Sequence, residues 1–130
     1  MKNYLLFTLL FGLLACQTTD QSNGTFEAIA PEAFAQKLKD SNMVLLDVRT
    51  VEEFAEGHLE GAMQYDYYET ESFKGMLEGL DKSKTYLIYC RSGSRSGNAM
   101  SMMQSMGFSS VYNLDGGILA WRAAGLPVIR

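Results

Sequence analysis

Thr85-Tyr86-Leu87-Ile88-Tyr89 runs straight into Cys90-Arg91-Ser92-Gly93-Ser94-Arg95-Ser96-Gly97, and a helical stripe follows from about Ser96 to Met106. The first part is a short unbroken apolar run, the pattern of a parallel strand covered on both faces. In the last part Ala99, Met102, Met103 and Met106 recur at i, i+3, i+4 and i+7, and Gly107 follows as a stop signal. Strand, glycine- and serine-rich loop, then helix is the unit from which parallel sheets are built.

The same alternation extends outward in both directions. Met43-Val44-Leu45-Leu46-Asp47-Val48 is a second continuous apolar run, and shorter strand candidates lie at 26–29, 62–65 and 110–112. Helical stretches separate them: 31–39, opened by Pro31 at a first-turn position, a helix capped by Thr50 with Glu53 three residues on, and 69–79. This alternation predicts an α/β domain with a mostly parallel, five-stranded sheet and helices on both faces. In such sheets ligands sit outside the carboxyl ends of the strands, which directs attention to the loop after Tyr89.

Charge narrows the function classes. Fifteen acidic residues against eleven basic ones give a formal net charge of −4, so there is no basic footprint for nucleic acid and no polybasic membrane patch. Two cysteines are too few for a disulfide-stapled miniprotein, and the high aromatic and low proline content argues against disorder.

The two cysteines stand in different company. Met1-Lys2-Asn3 precedes the apolar run from Tyr4 to Ala15, in the form of a secretory signal peptide. That run is well short of the about 20 residues a spanning helix needs. Leu13-Leu14-Ala15-Cys16 resembles the lipobox of bacterial lipoproteins, which implies cleavage after Ala15 and lipid on Cys16. The expected organisation is then a signal peptide at 1–15, a flexible polar tether at 16–24 and a folded domain at 25–130. Cleavage would remove Lys2 and no acid, leaving the remainder one unit more negative than −4. The expected location is exported, anchored to a bacterial membrane by lipid only and facing the periplasm. A disulfide between Cys16 and Cys90 is the competing reading, disfavoured because a signal-proximal tail is rarely tied to the core.

Cys90 lies in a loop suited to anions. Successive backbone N–H groups of a Gly- and Ser-rich turn can face one concavity, and a helix N-terminus adds partial positive charge there. Such a cradle stabilises a bound anion and equally a thiolate. An ordinary cysteine of pKa about 8.5 is only about 3% ionised at pH 7, whereas a helix N-terminus and nearby Arg can bring the pKa to about 3.5–7.5. The bland alternative is a small buried hydrophobe at a strand end. Arg91, Arg95 and three serines are poor neighbours for that.

At this point a family resemblance becomes specific. Cys90-Arg91-Ser92-Gly93-Ser94-Arg95-Ser96 resembles the active-site loop of single-domain rhodaneses, the thiosulfate sulfurtransferases. Leu46-Asp47-Val48-Arg49-Thr50 with Glu52-Glu53-Phe54, then Gly57-His58-Leu59-Glu60-Gly61-Ala62, then Asn113-Leu114-Asp115-Gly116-Gly117-Ile118-Leu119-Ala120-Trp121, resemble the other family signatures in the family's order. The resemblance implies a rhodanese-like fold with Cys90 as nucleophile. It also implies that Arg91, Ser92, Gly93, Ser94, Arg95 and Ser96 bind a small anionic sulfur donor such as thiosulfate. The acceptor would be cyanide or a thiol, and no metal or organic cofactor is implied. Cys90 through Arg95 is the six-residue sulfurtransferase loop, one residue shorter than in the related arsenate reductases and dual-specificity phosphatases. Glu60 stands where the family's turn usually has proline. The sequence assigns no oligomeric state.

Other residues admit two readings each. His58 is the only histidine; it could form a dyad with Cys90, but the resemblance makes it a turn residue. Asp47 and Arg49 share a strand face, as an ion pair or in acid/base work, and the ion pair is favoured. Met100, Met103 and Met106 could hold Cu(I) but have core spacing. The aromatic stretch 63–68 lines either a pocket mouth or the core, and Trp121 is read as packing.

Overall fold

The computed structural model describes residues 24–130. Its five strands are β1 (Thr25–Ile29), β2 (Val44–Asp47), β3 (Met63–Gln64), β4 (Thr85–Tyr89) and β5 (Ser110–Leu114). They form one sheet in the order β1-β5-β4-β2-β3, and every pairing between them is parallel. The connecting helices are α1 (Pro31–Lys37), α2 (Val51–Glu56), α3 (Thr70–Glu78), α4 (Ser94–Ser105) and α5 (Gly117–Ala123). The expected α/β architecture with a five-stranded sheet is therefore the observed one. The expected signal segment 1–15, Cys16 and all of the tether but Gly24 lie outside the described residues.

Two apolar cores flank the sheet, which is why β2 and β4 read as unbroken hydrophobic runs. On one side Leu46, Tyr86, Ile88, Phe73, Leu77, Ala99 and Met103 pack together, with α3 and α4 as the cover. On the other, Leu45, Leu87, Tyr89, Phe34, Ile118 and Trp121 pack under α1 and α5. Successive side chains of β4 alternate between the two, and each such fully buried aliphatic or aromatic residue contributes about 1.5–3 kcal/mol by leaving water. Cys90 continues this pleat into the α3/α4 core. That parity aims its sulfur at α4.

Element ends shift by one or two residues elsewhere, α1 stopping at Lys37 and β5 running on to Leu114, and three departures have a local physical cause. Helix α4 begins at Ser94, two residues early, because Gly93 in a left-handed conformation (φ 99°) closes the loop and its carbonyl already accepts from Gly97 N at 2.9 Å. β3 shrinks to two residues, since only Met63 and Gln64 find register partners, Leu46 and Asp47 of β2. α5 is a helix where Gly116-Gly117 read only as part of a closing signature. Its first amides are anchored by the loop: Ile118 N donates to Cys90 O at 2.9 Å and Leu119 N to Arg91 O at 3.2 Å.

Candidate active site

The Cys90 side chain is almost completely enclosed, at 1% exposure, where β4 ends and α4 begins. Its Sγ accepts from the Gly93 amide at 3.1 Å and from the Ser96 hydroxyl at 3.3 Å. Burial pushes the thiol up, but hydrogen bonds from the Ser96 hydroxyl and from the amides of Ser96, Gly93 and Ser92 outweigh it, holding the group below an ordinary cysteine. The donors come from one short stretch because the first turn of a helix leaves its N–H groups unpaired. The twelve-residue α4 adds its dipole in the same direction. A thiolate formed here is solvated by the protein rather than by water.

The two loop arginines diverge. Arg95 is not among the hydrogen-bond donors to the sulfur and grips Glu53 of α2 in a two-pronged pair, both N···O distances being 2.8 Å. Its guanidinium also sits 5.0 Å from the centre of the exposed Tyr68 ring. Arg95 lowers the Glu53 carboxyl to about 2, against the opposing effect of partial burial and with help from the Thr50 amide. Arg95 is in turn held above its ordinary value by the Glu53 hydrogen bonds. Glu53 has a second task. The expected capping box is present, with Glu53 N donating to Thr50 Oγ1 at 3.2 Å and Thr50 N to the Glu53 carboxylate at 3.1 Å. One carboxylate thus ties the start of α2 to the cysteine loop. Arg91 is exposed on the α5 side, and Ser92 and Ser94 are exposed as well.

Neighbouring elements brace the loop from behind. Asn113 of β5 donates through Nδ2 to Gly93 O at 3.1 Å, bracing the residue whose amide meets the sulfur from its other peptide, while its buried Oδ1 has no partner. Gly117 (φ +62°) comes so close that a Cβ there would lie 2.3 Å from Arg91 O. Only glycine supplies both that backbone conformation and that clearance. Neither Asn113 nor Gly117 stands out by residue type, and Glu53 is legible only as a cap.

The remaining candidates are structural. His58 stacks on Phe54 at 3.7 Å, places Nδ1 3.0 Å from Phe54 O and exchanges backbone hydrogen bonds with Ile129. The Sγ donors do not include it. Asp47 and Arg49 form a buried ion pair at 2.6 Å, and Arg49 Nη2 also donates to Gly57 O at 2.8 Å. Met103 is core, with Met100 and Met106 packed against it. The aromatic stretch divides: Tyr65 and Tyr67 pack on the core, whereas Tyr68 lies beside Arg95.

The site is thus a cysteine in an N–H cradle at the carboxyl end of the central strand of a parallel α/β domain, the place where such sheets seat their ligands. The chain belongs to the rhodanese-like domain family, whose model matches residues 30–124. It is 37% identical over 102 residues to a sulfurtransferase of Allochromatium vinosum, covering 78% of this chain and 92% of that protein. It is 34% identical over 98 residues to the thiosulfate sulfurtransferase GlpE of Pseudomonas putida, covering 75% and 86%. A Synechocystis relative of uncharacterised function, 34% identical over 116 residues, is longer, and the match spans 59% of it. Among solved structures, a rhodanese-related protein of Thermoplasma volcanium superposes with a TM-score of 0.69 at 25% identity, covering 80% of this chain and 98% of that one.

Proposed function

We propose that this protein is a sulfurtransferase that moves a sulfane sulfur from an anionic donor such as thiosulfate to a thiophilic acceptor through a persulfide on Cys90. The observation that carries the reading is the cradle itself: Sγ faces the Gly93 amide at 3.1 Å and the Ser96 hydroxyl at 3.3 Å. In the first half-reaction the Cys90 thiolate attacks the outer sulfur of thiosulfate. The donor S–S bond breaks, sulfite leaves with the electron pair, and a Cys90 persulfide remains. In the second half-reaction cyanide or a thiol attacks the terminal sulfur, and Cys90 departs as the thiolate the cradle stabilises. Ping-pong kinetics follow from the covalent intermediate. The amides from Arg91 to Ser96 hold the anionic groups, Arg91 adds charge from the open side, and Arg95 serves through its position. The export signal and lipid on Cys16 complete the proposal, placing the domain at a bacterial membrane on its periplasmic face.

The test is to treat the purified chain with thiosulfate, seek one added sulfur on Cys90 by mass spectrometry, and titrate with cyanide. Stoichiometric loading and release as thiocyanate is expected, and Cys90→Ser abolishes it. Loading that cyanide discharges only slowly would make the protein a persulfide carrier, and no loading at all would overturn the reading. Cys16→Ser is expected to release the protein from membranes while leaving sulfur loading intact.

A further inference from the structure

The parallel sheet gives the molecule two unlike ends. All strands run the same way, so each helix that follows one starts at the carboxyl end, where the Cys90 loop lies. Acidic residues favour helix N-termini, and Glu32, Glu52, Glu53 and Glu71 occupy first turns there. Asp66, Glu69 and Asp115 stand in connections at the same end. Arg95 matches Glu53 and Arg49 matches Asp47, which leaves the other acids of that end opposed by Arg91 alone among the described residues. The amino end differs. Lys37 closes α1, Lys39, Lys82 and Lys84 lie in the turns before β2 and β4, and the acids among them are Asp40, Glu78 and Asp81. Asp40 and Asp81 are already engaged by the turn amides of Asn42 and Ser83.

The chain enters the fold at this lysine end. Gly24 packs against the Ser109 carbonyl too closely for any Cβ, and Ser109 N donates to Lys82 O at 2.9 Å. Thr25, Ser110 and Thr85 then lie side by side across three strands. Cys16 stands eight residues before Gly24, a stretch that reaches about 28 Å at most. Cys90 follows the far end of β4, about 17 Å along the strand and beyond the about 8 Å over which a surface field survives physiological salt. Between the starts of β2 and β4 is a cleft of about 390 Å³, within the range of small-molecule sites, whose walls include Ser41, Asn42, Lys84 and Thr85, with Asp40 as its acid. Lys84 makes no ion pair among the described residues.

We infer that the amino end of the sheet lies on anionic phospholipid headgroups, with one headgroup phosphate in the cleft at Lys84, an orientation that rests on the reading of Cys16 as the lipid-bearing residue. The acyl chains supply the affinity and the charge distribution supplies the direction. An anionic surface attracts the lysines beside the entry point and repels the acids of the carboxyl end, so no polybasic patch is required. The short stretch between Cys16 and Gly24 keeps the lysine end within reach of the surface. Cys90 then faces the aqueous phase. Its sulfur donor and acceptor are water-soluble molecules, not molecules dissolved in the bilayer.

The chain purified from membranes, its lipid verified by mass spectrometry, is placed in neutral detergent, in phosphatidylcholine vesicles, and in vesicles that also contain phosphatidylglycerol. Amide hydrogen exchange is followed in each. Exchange in 39–44 and 81–85 is expected to slow by about fivefold on the anionic vesicles, the factor that one lysine at such a surface supplies, while 91–97 stays unchanged. Lys39→Glu combined with Lys84→Glu, both at exposed positions, should abolish that protection. Thiosulfate loading of Cys90 should differ by less than about twofold between detergent and anionic vesicles, because the loop lies beyond the screening length. Protection of 91–97, equal protection on phosphatidylcholine alone, or none in 39–44 and 81–85 overturns the orientation while leaving the lipid reading intact. A chain without lipid on Cys16 overturns both. Failure of Cys90 to take sulfur overturns the sulfur-transfer reading, and the exchange pattern still decides which end meets the membrane.

Discussion

Replacing Ser96 by Ala removes one hydroxyl from around Cys90 and little else. Ser96 is fully buried in the first turn of α4, and its Oγ donates to Sγ at 3.3 Å. Among the groups that hold the thiol low, this hydroxyl comes first, ahead of the amides of Ser96, Gly93 and Ser92. A hydrogen bond to a charged group contributes about 1.5–3 kcal/mol, and a long O–H···S contact belongs at the lower end. A loss of about 1.4 kcal/mol lowers the thiolate-to-thiol ratio about tenfold at any pH below the midpoint. The fold should hold to within about 1 kcal/mol, because no donor is orphaned and alanine favours the helix. The assay is the rate of iodoacetamide alkylation and of thiosulfate loading as a function of pH, in a Cys16→Ser background so that Cys90 alone reacts. Both curves should move to higher pH with their alkaline plateaus unchanged. An unmoved midpoint, or rates reduced equally at every pH, would show that Ser96 does not act through the acidity of Cys90.

Glu53→Gln is expected to cost about 1 kcal/mol at neutral pH, a modest figure because the Glu53–Arg95 pair is partly open to solvent. Since the Glu53 carboxyl falls from 4.5 to about 2 on folding, it stabilises the fold above the unfolded value and that contribution fades as pH drops toward the folded one. Urea midpoints followed into acid should therefore decline less steeply in the variant. Gly117→Ala forces a Cβ to within 2.3 Å of Arg91 O at φ +62° and should destabilise by about 2 kcal/mol or more while slowing sulfur loading. Wild-type stability in urea would contradict the close-approach argument. Asn113→Asp exchanges a donor for a carboxylate facing Gly93 O, at a cost of about 1–3 kcal/mol. Burial beside an acceptor raises this carboxyl in the folded state, so stability should be retained in acid and lost as pH rises through the folded value. A denaturant midpoint insensitive to pH in that range would count against it.

The sequence was most informative where chemistry is local. The apolar runs of β2 and β4 announced a sheet buried on both faces, Thr50 and Glu53 announced the start of α2, and Gly93 and its serines announced an N–H cradle. Illegible were contacts made between distant segments. Nothing in the spelling of Glu53 says that its carboxylate also clamps Arg95, because its capping pattern is complete without a partner from another element. Asn113 reads as an ordinary polar residue until the parallel pairing of β4 with β5 brings it under Gly93. The short α5 was hidden for a related reason: its start is set by carbonyls of Cys90 and Arg91 across the fold rather than by a cap of its own.

The pleat that carries Cys90 from β4 into the α3/α4 core also governs how this chain can tolerate changes in length. Side chains alternate across a strand with a period of two, so one residue gained or lost within β4 would swing the sulfur to the Tyr89 face, away from α4. Two residues would restore the side but carry Cys90 out of step with Gly93 and Ser96. Surface connections such as 79–84 can lengthen at an entropic cost that grows only slowly. The joint between β4 and α4 has no such latitude: there a change of length would remove the chemistry before it unfolded the protein.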